Sequence, residues 1–147
     1  MSTVITFSGN LVADPELRFT PSGTAVLEFR ALVNRRAKNA AGDWHDADPT
    51  AHNVKVWGQQ AENLAESAGR GDRVLVHGLV ETESWEKDGE KRTKDVVTIS
   101  ERFGDVGLST KRATVKATKV TRSHSASIDD AQAAIGGDPW AVPVGSE

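Results

Sequence analysis

Apolar residues recur along the chain at two different periods, and the change of period divides it into elements. Val4, Phe7 and Leu11 stand in an opening stretch interrupted by Gly9-Asn10, which predicts a strand with a bend or bulge. Asp14-Pro15 and Thr20-Pro21-Ser22-Gly23 are turn chemistry on either side of a short strand, Leu17-Arg18-Phe19. From Ala25 to Asn34 the period is two. Leu27, Phe29, Ala31 and Val33 alternate with Glu28, Arg30 and Leu32. Residues 35–50 are polar and include Ala41-Gly42-Asp43 and Asp48-Pro49, so a flexible loop is expected there. Alternation resumes at Val54-Lys55-Val56-Trp57.

Between Gln60 and Ala68 the period lengthens. Ala61, Leu64, Ala65 and Ala68 fall at i, i+3, i+4 and i+7, the spacing of a short amphipathic helix that Gly69 stops. Gly71-Asp72 turns the chain into a further strand, Arg73–Val80. Asp88-Gly89 is a strong hairpin signal between Glu81–Lys87 and Glu90–Ser100. Strands, one short helix and more strands suit an all-β, closed Greek-key barrel with the helix plugging one end. A doubly wound parallel sheet needs alternating helices, and only one is visible.

Composition fits a single ordinary domain with room for a tail: 147 residues, 37% hydrophobic and 27% charged. No apolar run approaches the roughly 18 residues of a spanning helix, so no membrane partner is expected. The first residues carry no basic n-region, so no secretory signal is visible. There is no cysteine, hence no disulfide framework, thiol nucleophile or cysteine-ligated metal. These features together predict a cytoplasmic location.

Charge is unevenly spread. The total is −3, but residues 1–110 hold 13 basic and 17 acidic residues. Residues 111–122 hold five basic and none acidic, while residues 123–147 hold four acidic and none basic. Net charge therefore does not exclude a polyanion; local surfaces decide. Three regions follow: a barrel over 1–110, a basic strand over 111–122 whose Thr/Val alternation extends the domain, and an acidic tail over 123–147. The tail is too polar and short to fold alone, so disorder is expected.

No catalytic set is present. His45, Asp46, Asp48 and His52 match no standard metal spacing, and neither a metal nor a cofactor is expected. There is no nucleophile elbow, phosphate loop or dinucleotide fingerprint. The aromatics say more. Trp57 ends a strand, Trp85 sits near a hairpin tip, and Trp44 stands among polar residues. Core packing accounts for Phe7 and Phe29 but poorly for Trp44 and Trp85, which have charged neighbours. Rings beside cations are the equipment of single-strand binders, where bases stack and cations follow phosphates. The basic candidates are Arg30, Arg35, Arg36, Lys38 and Lys55, with Lys87, Lys91, Arg92 and Lys94 around the Trp85 hairpin. Charged hairpins are as a rule solvated faces, so this pattern alone is weak.

Several longer segments sharpen it. They are Gly9-Asn10-Leu11 with Asp14–Gly23, then Asn53-Val54-Lys55-Val56-Trp57-Gly58, Ala61-Glu62-Asn63-Leu64-Ala65, and Gly69–Gly78. In this order they resemble the bacterial single-stranded DNA-binding protein family over roughly residues 3–122. The resemblance implies an oligonucleotide-binding (OB) barrel, a homotetramer, and sequence-tolerant binding of single-stranded DNA in replication, repair, recombination or uptake. It implies that Trp57 and Trp85 stack bases, that His52 lies near a subunit contact, and that residues 111–122 clamp neighbouring subunits.

Departures from the family pattern imply a specialised paralogue of weaker affinity. Arg36 and Ala51 stand where many relatives carry stacking tryptophans. Arginine still stacks through its guanidinium plane; alanine does not. Glu81 and Glu83 occupy an arm that is often basic, and two carboxylates there repel phosphates. The chain ends Pro143-Val144-Gly145-Ser146-Glu147, not in an acidic tip closed by phenylalanine, so recruitment of replication and repair enzymes through the tail is expected to be weak or absent. A protein-interaction subunit and an RNA-binding module are the alternative readings; stacking does not itself exclude the 2′-hydroxyl.

Overall fold

The computed structural model describes residues 2–120. Among them are seven strands and one helix: β1 (Thr3–Leu11), β2 (Glu16–Phe19), β3 (Ala25–Lys38), β4 (Trp44–Trp57), α1 (Gln59–Ser67), β5 (Arg73–Lys87), β6 (Glu90–Ile99) and β7 (Asp105–Leu108). The strands pair in the order β1-β3-β4-β6-β5, and a β1–β5 ladder closes the ring. β2 adds to β3 and β7 adds to β5 outside this ring. The expected closed barrel is thus present.

Closure demands that strands change partners, and glycine marks two of the places. Gly9, in the predicted bend, precedes the point where β1 reaches β3: Asn10 pairs with both Arg73 and Leu32. A Cβ on Gly9 would lie 2.9 Å from the Leu32 carbonyl oxygen, so only glycine fits there without a shift. On β5, Val74–His77 pair with β7, and β6 takes over from Leu79. Between them, a Cβ on Gly78 would meet the Thr98 carbonyl oxygen at 2.8 Å.

Period-two alternation sends one face inward. Leu27, Phe29 and Ala31 of β3, Val54 and Val56 of β4, Val74 and Val76 of β5, and Val97 and Ile99 of β6 form the core. The helix closes it with the predicted residues: Ala61, Leu64 and Ala68 are buried, and Ala65 packs against them. Its C-terminal exit is held by hydrogen bonds from the Gly69 N–H to Asp72 Oδ2 (2.8 Å) and from the Arg70 N–H to Asp14 Oδ1 (2.8 Å). Gln60 Oε1 accepts from the Val106 N–H at 2.8 Å and ties the helix to β7. The Asp88-Gly89 turn has positive φ at both residues, 55° and 78°, as a two-residue hairpin of the primed type requires.

One sequence expectation is corrected. Residues 35–50 are mostly not a loop. β3 and β4 continue as a long hairpin that turns over residues 39–43, where Asn39 Oδ1 accepts from the Ala41 and Asp43 N–H groups. Both faces of this extension leave the core, so its residues are polar and carry no period-two hydrophobic signal. β7 is an additional strand, too short at four residues to stand out from the turns around it. Residues 111–120 form no strand within the described residues, and 121–122 lie outside them. A strand exists only through a ladder with a neighbour, and alternation cannot provide the neighbour. The acidic tail also lies outside the described residues.

No helix of the described residues is long and apolar enough to cross a membrane.

Candidate nucleic-acid interface

The outer face of the barrel is set by register. β3 places Glu28 opposite Lys55 and Val26 opposite Trp57. β5 and β6 place Glu83 opposite Lys94 and Trp85 opposite Arg92. Alternation puts Lys55 and Trp57 on the same face of β4, roughly 7 Å apart along the strand. On β2, Arg18 stands opposite Val26, which carries its guanidinium to the same face.

Here the chain forms an open cavity of about 550 Å³, lined by Arg18, Glu28, Lys55, Glu83, Ser84, Trp85 and Lys94. Of the predicted residues, the cavity brings together Lys55, Trp85 and Lys94. Trp85 is 41% exposed, and Lys94 Nζ sits 5.9 Å from its ring centroid. A flat ring beside an ammonium offers a base a stacking surface and the adjoining phosphate a counter-charge. Trp57 is half-buried at the end of β4.

The remaining cations are dispersed. Arg35, Arg36 and Lys38 are exposed on the outer half of the β3–β4 hairpin. Arg36 Nε lies 3.7 Å from Asp46 Oδ1, and Lys38 Nζ lies 5.7 Å from the ring centroid of Trp44, which is 60% exposed. Lys87, Lys91 and Arg92 are exposed around the β5–β6 turn. Register sets Lys91 opposite Glu86, on the other face of that hairpin from Trp85 and Arg92. Arg92 Nη2 is 3.9 Å from Glu90 Oε2.

Two sequence readings change. Lys55 is not an open cation: its ammonium donates to Glu83 and lies 3.5 Å from Glu28 Oε1, and its side chain is 13% exposed. Glu83, on the arm, thus holds Lys55. Arg18, not among the residues that the sequence singles out, also lines the cavity. Its position after Leu17 in a strand was legible, but its neighbours across β2, β3 and β4 were not. Arg30, opposite Asn53, is exposed and has no carboxylate within 4 Å among the described residues.

His52 is half-buried and stacks on Phe7 of its own chain, with ring centroids 4.3 Å apart. Among the described residues no group of three or more His, Asp or Glu side chains is arranged to hold a metal ion.

A family model described as the single-strand binding protein family matches residues 2–106, from β1 into β7. The chain belongs to that family. The single-stranded DNA-binding protein of Mycobacterium tuberculosis is 42% identical over 146 residues, covering 94% of this chain and 87% of that protein. Two solved structures share the fold. A Plasmodium falciparum SSB in complex with ssDNA matches with a TM-score of 0.64 at 20% identity, covering 71% of this chain and 92% of that one. The small single-stranded DNA-binding protein of Streptomyces coelicolor matches with a TM-score of 0.61 at 24% identity, covering 77% and 99%. The barrel is thus the expected OB fold.

Proposed function

We propose that this protein binds and protects single-stranded DNA without catalysing a reaction on it, and that the strand runs over the outer face carrying Trp57 and Trp85. The observation that carries this placement is the exposed Trp85 ring at the edge of an open cavity, with Lys94 beside it and Arg18 across it. Each stacked base contributes about 1–3 kcal/mol, and each phosphate contact adds a salt-sensitive increment. Arg30, Arg35, Arg36, Lys38, Lys87 and Arg92 would track the backbone on either side. Neither contact reads a base edge, so binding tolerates sequence. Family membership favours DNA over the RNA-binding and protein-interaction alternatives, and parallel titrations with DNA and RNA oligonucleotides of one length separate the three.

The working unit is a homotetramer in the cytoplasm, serving replication, repair, recombination or uptake. Residues 111–122 pair with a neighbouring subunit, which supplies the edge that their own chain does not. His52, which stacks on Phe7 of its own chain, lies near a subunit contact in that assembly. Four linked barrels make later contacts with one strand effectively intramolecular.

A further inference from the structure

Charges of alternating sign cross the outer face in an unbroken run. Arg18 Nη1 lies 2.7 Å from Glu28 Oε2, and Glu28 Oε1 lies 3.5 Å from Lys55 Nζ. Lys55 Nζ donates to Glu83 Oε1, and Glu83 Oε2 lies 3.8 Å from Lys94 Nζ. The three cations are not equivalent. The Arg18 and Lys94 side chains are 61% and 42% exposed, whereas Lys55 is 13% exposed. Among the described residues, Lys55 alone of the three is held by two carboxylates.

This arrangement has a consequence for a polyanion. A phosphate that approaches Arg18 or Lys94 meets a more exposed cation held by a single carboxylate. A phosphate that approaches Lys55 must displace a carboxylate already in place. Once displaced, that carboxylate is uncompensated beside DNA and takes up a cation from solution. The uptake offsets a counterion that the phosphate releases, so the exchange adds little affinity and little salt dependence. Glu83 is the stronger competitor. Glu28 is drawn towards Arg18 at 2.7 Å, while Glu83 reaches Lys55 by a direct hydrogen bond and Lys94 only at 3.8 Å.

Building on the proposed placement of the strand, we propose that Glu83 is an affinity-limiting residue, which withholds Lys55 from phosphate and lowers both the affinity and its salt dependence. A glutamine at this position keeps the length of the side chain and an acceptor for the ammonium, and removes only the competing charge.

The test is a set of titrations of the full chain with a dT oligonucleotide over a range of salt, with thermal melting as the check on folding. Glu83→Gln should bind about tenfold tighter at low salt. Its log–log salt slope should be steeper by about 0.7, one phosphate contact to a single strand. Adding Lys55→Met to Glu83→Gln should abolish the gain. Should Glu83→Gln melt early, Glu83→Thr, a residue suited to a strand, should give the same direction. A folded Glu83 variant with unchanged or lower affinity overturns the proposal. A double variant that keeps the gain overturns it too, because the effect would be general repulsion. Failure of the underlying placement reads differently: Trp85→Ala and Trp57→Ala would retain full affinity, and the proposal falls with it.

Discussion

Lys94 Nζ lies 5.9 Å from the centre of the Trp85 ring, and register explains why the two meet. Trp85 stands opposite Arg92 across the β5–β6 ladder, and Lys94 is two residues further along β6 on the same face. The pair places a stacking surface and a counter-charge within one nucleotide of each other. Trp85→Ala is therefore expected to weaken binding of single-stranded DNA by about 1–3 kcal/mol while leaving the fold intact. Fluorescence titration with dT oligonucleotides, alongside a melting curve, measures both. Full affinity in the folded variant removes Trp85 from the site.

Trp57 is expected to behave similarly. It is half-buried at the end of β4, opposite Val26, so one part of the ring is fixed while another meets solvent. Trp57→Ala should also lose about 1–3 kcal/mol of binding. DNA should quench intrinsic fluorescence, and each substitution should reduce the quenching. Quenching that survives removal of both rings would point to Trp44 or Trp140.

The barrel depends on the helix that closes it. Leu64 is 4% exposed in the main core, beside Ala61. Leu64→Ala leaves a cavity and should cost about 2–5 kcal/mol of stability in denaturant unfolding. A loss below about 0.5 kcal/mol would mean that the helix is a surface ornament.

Much of the fold is legible in the sequence wherever one face of an element is buried. Leu27, Phe29 and Ala31 fix a strand, Ala61, Leu64 and Ala68 fix a helix, and Asp88-Gly89 fixes a turn, because each pattern is local. The outer β3–β4 hairpin is not legible, since Arg35, Arg36 and Lys38 lie beyond the core and both of its faces are wet. The juxtaposition of Trp85 with Lys94 is readable, for ring and cation share one hairpin. The state of Lys55 is not. Its partners are Glu28 and Glu83, on two other strands, and only the assembled register brings them together.

Assembly and the tail give a further expectation. Truncation after Thr110 removes the basic segment 111–122 along with the tail and should loosen a tetramer seen by light scattering. Truncation after residue 122 should leave the tetramer, and should leave DNA affinity unchanged or slightly higher, because four acidic side chains per subunit are removed. A stable monomer at micromolar concentration of the full chain contradicts the proposed assembly.

The most direct test of single-strand binding is a salt-dependent fluorescence titration of the full chain with poly-dT and with duplex DNA of equal length. Stacking on Trp57 and Trp85 needs unpaired bases, so poly-dT should bind far more tightly than duplex, with log affinity falling linearly against log salt. Equal affinity for duplex, or no binding of poly-dT at low salt, would contradict the account.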